Sequence, residues 1–213
     1  MITGYEYKYI KKLESLDLDF SMLPQAFGYD NPNLICLDVV LSMNRQYNTF
    51  VIPRLNFFKT NFPEIQTLQD LKNLITRVGI YSFESVWNYK HPQRVIILRD
   101  LISFFLENKK QINISEDLSS MIYWAKNADI TNQELLPVKG IGFVTTQYIR
   151  KMLGVDTVKP DIHIKRSVEL WLGEKMSYKQ IVLFIEDVAK KLGLTPTQLD
   201  HAIWKYFSVK PSN

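Results

Sequence analysis

At 213 residues and 46% hydrophobic content, the chain can bury a proper core and suits one domain or two small ones. Its single cysteine, Cys36, excludes an internal disulfide framework and a four-cysteine iron–sulfur cluster. A formal net charge of +4 is compatible with a polyanionic partner without demanding one, and no apolar run reaches membrane-spanning length.

In chain order, the pattern is a series of helices. The opening MITGYEYKYIKK lacks a secretory h-region, so a cytoplasmic, intracellular protein is expected. Tyr5, Tyr9, Ile10 and Leu13 have helical spacing, and Asp17 to Tyr29, with Pro24 and Gly28, reads as a connector. Asn31-Pro32 is a cap and first-turn signal ahead of Leu34, Leu37, Val40 and Leu41. A helix over roughly 49–60 follows, with Pro53 in its first turn. Thr67 to Asp70 approximates a capping box before Leu71, Leu74 and Val78, and Gly79 with Tyr81-Ser82 ends that helix. His91-Pro92 opens a long helix with Val95, Leu98, Leu101, Ile102 and Phe105 on one face. Ser115-Glu116-Asp117 starts another, with Leu118, Met121, Ile122 and Ala125 inward.

The richest stretch runs from Leu135 to Arg166, LLPVKGIGFVTTQYIRKMLGVDTVKPDIHIKR. Val138 to Gly142 is a glycine turn opening into the apolar-periodic Val144, Ile149, Met152 and Leu153. Its two glycines can take backbone angles closed to other residues and admit another backbone closely. The amides opening the next helix favour an anion such as phosphate. Pro160 then suits the start of a further helix, with Asp161 beside it. Taken alone, that Asp is a helix cap. Residues 177–192 carry Ile181, Ile185, Val188 and Leu192 on one stripe. Thr195-Pro196 begins a last helix with Leu199, Ala202, Ile203 and Tyr206. Nothing alternates with period two, so the fold class is all-α. Most aromatics should be core. His91, His163 and His201 show no metal-ligand spacing.

PVKGIGxxTTxxIRxxLG followed by KPDIHIKR resembles the helix-hairpin-helix motif and catalytic-aspartate segment of the base-excision DNA glycosylases related to endonuclease III. Gly140, Ile141 and Gly142 match the hairpin. Asp161, His163, Ile164 and Arg166 match the second segment. The resemblance implies a two-module helical fold: a six-helix module at 31–156, and a second formed by 1–30 plus 157–213 that carries the aspartate. It implies a DNA glycosylase that hydrolyses the base–sugar bond of a damaged or mismatched base in double-stranded DNA and acts as a monomer. Asp161 would be the catalytic carboxylate, stabilising charge on the sugar, and His163 would orient it. Phosphate contact would fall to Lys139, Gly140, Gly142 and Val144, with Lys151 nearby.

Val144 stands where lyase-competent relatives carry a Schiff-base lysine, which implies a monofunctional enzyme. No cofactor is required, and an iron–sulfur cluster is excluded. The carbonyls of Leu136, Val138 and Ile141 match the family's site for a monovalent cation, Na+ or K+. Val39 to Gln46 resembles the helix end where a Gln or Asn fills the gap left by an extruded base. Asn44 falls at that place, with Arg45 and Gln46 beside it. A helix C-cap is the plainer reading of Asn44. Asp200 and His201, on a helix that lines the cleft in the family, either face the pocket or form a surface pair. Two other classes compete with the enzyme: a non-catalytic helix-hairpin-helix nucleic-acid-binding protein, and a helical interaction protein whose glycines merely turn the chain.

Overall fold

Helix starts are written into this chain as local hydrogen bonds, and the computed structural model, which describes residues 4–20, 29–130 and 136–209, shows them in place. Asn31 caps the helix Pro32–Ser42 (α2) by accepting the Asn33 amide at 2.9 Å. Thr67 and Asp70 form a reciprocal capping box on Leu68–Val78 (α4), and Gly79, at φ +84°, ends it. His91 caps Pro92–Gln111 (α6) through its side chain, and Ser177 with Gln180 boxes Tyr178–Lys191 (α10). The remaining helices are Gly4–Glu14 (α1), Ile52–Asn61 (α3), Glu84–Trp87 (α5), Asp117–Asn127 (α7), Phe143–Met152 (α8), Ile162–Leu172 (α9) and Pro196–Val209 (α11). A π-helical turn, Tyr47–Val51, leads into α3. The described residues contain no strand, as the absence of period-two patterning implied. The expected connector's Pro24 and Gly28, Leu135, and the tail 210–213 lie outside the described residues.

The chain divides into two compact units: Met1–Phe27 with Thr146–Asn213, and Gly28–Thr145. The second boundary falls inside α8, where the sequence reading placed it at 156. The middle unit is built around α2, whose Pro32–Leu41 run is entirely buried. Apart from the buried Asn33 and Asp38 that run is apolar all round, and such a helix belongs inside a core. α6 packs on α2, α4 and α7, and its Val95, Leu98, Leu101, Ile102 and Phe105 are all buried as the periodicity predicts. In α7 the inward set differs. Met121 and Ala125 are buried, but Ser120 and Trp124 join them while Leu118 and Ile122 are only half-buried.

In the terminal unit, α1 packs on α9 and α10, and α11 on α9 and α10. Tyr9 of α1 is the pin. Its ring lies edge-on to Phe184 at 5.2 Å and against Trp171 at 4.9 Å, and its hydroxyl meets Ser167 Oγ at 2.5 Å. An aromatic of that size removes roughly 150–250 Å² from water, which ties the N-terminal helix to elements far along the sequence. Lys191 adds ion pairs to Glu6 at 2.6 Å and Asp187 at 2.7 Å. Tyr5 and Tyr7 do not join this core; they are 47% and 58% exposed.

Candidate nucleic-acid interface and carboxylate site

The glycine turn belongs to the middle unit. The Val138 amide donates to the Leu136 carbonyl at 2.7 Å and the Ile141 amide to the Val138 carbonyl at 2.9 Å, so the chain reverses tightly before α8 begins at Phe143. Gly140 needs its missing side chain twice over. Its φ is +96°, and a Cβ would lie 2.8 Å from Ile97 Cδ1 on α6. Gly142 needs it for neither reason: its φ lies outside the left-handed region and a Cβ would meet nothing within 4 Å. Only Gly140 fits the expectation of two glycines with special angles. Lys139 is exposed beside the turn, Gly142 is exposed, and Val144 is half-buried in the first turn of α8. The first-turn amides of Phe143, Val144 and Thr145 have no acceptor within the helix. A monovalent cation fits the carbonyls in part: those of Leu136 and Val138 already accept a backbone amide, yet each keeps a second lone pair.

Asn44 also belongs to the middle unit. It follows α2 in the left-handed conformation, φ +55°, with its side chain exposed together with those of Arg45 and Gln46. The cap of α2 is Met43, in extended backbone, and Asn44 falls inside the turn that follows, closed by the Arg45 amide on the Ser42 carbonyl at 3.3 Å; Asn tolerates the left-handed angle there. Gln46 accepts the Thr49 hydroxyl at 3.2 Å.

Asp161 is in the terminal unit, at the N-cap of α9. Its Oδ1 accepts the His163 amide at 2.9 Å and the Ile164 amide at 3.2 Å, while its carbonyl accepts the Lys165 amide at 2.9 Å. Pro160 before it is buried, and the Asp161 side chain is half-buried. Among the described residues it takes part in no ion pair. The result is a carboxylate fixed by two backbone donors at the positive end of a helix. His163 touches it through the backbone; its imidazole lies instead edge-on to Trp204 at 6.4 Å. Arg166 lies 5.7 Å from the Phe207 ring.

Neighbouring charges in the same unit were not legible as a group. Lys151 of α8, expected as a phosphate contact, keeps only 9% of its side chain exposed and is ion-paired with Asp200 of α11, which is buried. Burial pushes the Asp200 carboxyl above the ordinary range, the ammonium of Lys151 pulls it back, and the charge of Asp161 raises it further. Lys159 sits 3.6 Å over the Tyr148 ring. His201 stacks on Trp204 at 6.0 Å, and burial followed by the charge of Lys151 lowers its pKa. Lys151 and Asp200 are 49 positions apart, and no spacing rule joins residues at that distance.

Among the described residues no helix is long and apolar enough to cross a membrane, and no three His, Cys, Asp or Glu side chains are grouped to hold a metal ion. No significant match to a curated protein or to a solved structure is found. Residues 96–208, more than half of the chain and spanning the glycine turn, Asp161 and Asp200, match the family described as Domain of unknown function (DUF8548), and the protein belongs to that family.

Proposed function

We propose that this chain is a DNA glycosylase of the endonuclease III type, monofunctional, acting on a damaged or mismatched base in duplex DNA. One observation carries the reading. Asp161 is a half-exposed carboxylate held rigid by two backbone amides and engaged by no cation among the described residues. Such a group can serve an incoming cationic centre. When the glycosidic bond lengthens, positive charge develops on the sugar; the carboxylate stabilises it and orients or deprotonates the attacking water. Water oxygen bonds to the anomeric carbon, the carbon–nitrogen bond breaks, and the base leaves with a proton. Val144 offers no amine, so the strand is left uncut at an abasic site. The turn around Gly140 supports phosphate contact through amides, with Lys139 beside them. Asn44, displayed by its left-handed backbone, would fill the space of the extruded base. Na+ or K+ on the carbonyls of Leu136, Val138 and Ile141 would join turn to phosphate, and no chemical step depends on it.

A labelled duplex panel carrying uracil, alkylated purines and oxidised guanine, developed with alkali, tests the proposal. Base release by the wild-type chain is expected. Asp161→Asn should lower it on the order of 10²–10³-fold or more with duplex affinity retained. Equal turnover by that variant would refute the catalytic assignment. An adduct trapped by borohydride would overturn the monofunctional one. Gly142→Ala is a sharper probe of the turn than Gly140→Ala, because the fold itself tolerates it. It should weaken duplex binding while the melting temperature stays put. Retained affinity with no base released from any substrate would leave a non-catalytic helix-hairpin-helix binder.

A further inference from the structure

Three arginines of the middle unit gather around one aromatic pair with no acid among them. Arg54 lies 3.6 Å from the centre of the Phe50 ring, and Arg45 lies 5.4 Å from the same ring. Around Tyr89, Arg54 is at 5.6 Å, Arg45 at 5.8 Å and Arg94 at 5.9 Å, and Tyr89 stands edge-on to Phe50 at 4.9 Å. Among the described residues none of the three guanidinium groups has a carboxylate partner. Arg94 is explained by the fold: it is buried and donates to the carbonyls of Val40, Leu41 and Met43, closing the end of α2. Arg45 and Arg54 are not used up in this way. Arg45 is exposed and gives one donor to its neighbour's carbonyl, that of Asn44, and one to the Tyr89 hydroxyl at 3.0 Å. Arg54 gives one to the Phe50 carbonyl at 2.9 Å, and its Nε is buried with no acceptor. Desolvation and the charge of Arg45 hold the Arg54 guanidinium below its ordinary range.

Like charges crowded on an aromatic floor are costly unless something negative meets them. A guanidinium carries five N–H donors, so both Arg45 and Arg54 keep donors beyond the bonds just described, and such charged donors suit a phosphate. We infer that Arg45 and Arg54, floored by Phe50 and Tyr89, form an anion site for a backbone phosphate of nucleic acid. The inference rests on the reading that the partner is nucleic acid and not on turnover. It assigns Arg54, Phe50 and Tyr89 to binding, and it gives Arg45 a defined task beside Asn44: fixing the strand while the amide of Asn44 faces solvent.

Duplex affinity of the full-length chain, measured across a salt series, tests this. In Arg45→Gln/Arg54→Gln the affinity should fall roughly tenfold or more at low salt. The slope of log K against log salt should shrink by about 1 to 2. Arg45→Lys/Arg54→Lys should keep most of the slope while losing part of the affinity, which ties the loss to charge rather than to unfolding. An unchanged slope in the glutamine pair, with melting temperature intact, would overturn the site while leaving the glycosylase reading standing. Arginine-dependent binding by a chain that releases no base would support the site and sink the catalytic proposal. No duplex binding by the wild-type chain would end both.

Discussion

Asp161 and Asp200 are two carboxylates of the same unit, each near the start of a helix, held in opposite ways. Asp161 is fixed by backbone amides and remains half-open. Asp200 is buried, with Lys151 on it. The first arrangement costs the fold little and leaves a negative charge facing outward. The second commits both partners to each other, because neither ion can be exposed or left alone without penalty. Near a candidate site, exposure and backbone fixation therefore mark the group that can act, and burial against a counter-ion marks the one that supports.

The largest effect should come from breaking the committed pair. Asp200→Ala leaves the largely buried Lys151 ammonium without its partner and should cost about 3–5 kcal/mol in a urea melt. Lys151→Met/Asp200→Leu should recover most of that, since removing both charges removes the desolvation problem. A loss under about 1 kcal/mol in the single variant would place Asp200 in the same class as Asp161 and dissolve the contrast.

A smaller effect is expected at the open carboxylate. Asp161→Ala should cost about 1 kcal/mol as a lost cap, whereas Asp161→Asn, an equally good cap, should be close to neutral. If Asn destabilised as much as Ala, the negative charge itself would be structural, and its availability for chemistry would be in doubt. The smallest effect concerns His201, beside Asp200. Burial and the Lys151 charge lower its pKa from 6.5. The unfolded chain then takes up the proton first, so stability should decline as pH falls below about 6.5. His201→Gln should flatten that part of the stability–pH curve, and a decline unchanged in the variant would assign it to other groups.

Much of the fold was legible because its signals are short-range. The caps at Asn31, Thr67, His91, Asp161 and Ser177 are hydrogen bonds spanning two or three residues. Side-chain type at one position therefore announces the helix that follows. The glycine turn was visible for the same reason. The short α5 was not, since its four residues are too few for a period to show. The sequence suggests that His163 orients Asp161; its backbone amide bonds the carboxylate, while its ring lies edge-on to Trp204, a contact that no spacing announces. Lys151 read as a surface cation because nothing within a turn of it marks burial.

By itself, then, the sequence determined an all-helical chain, the starts of most of its helices, and an aspartate seated at one of those starts behind a glycine turn. These follow from propensity, capping and the restricted angles of Pro and Gly, all of which act within a few residues. Only the tertiary structure decided that Ile97 presses on Gly140 but leaves Gly142 free of steric need, that Asp200 disappears against Lys151, and that Arg45 and Arg54 meet over Phe50. Those outcomes depend on which helix faces come together, and burial and charge pairing are properties of the packed whole.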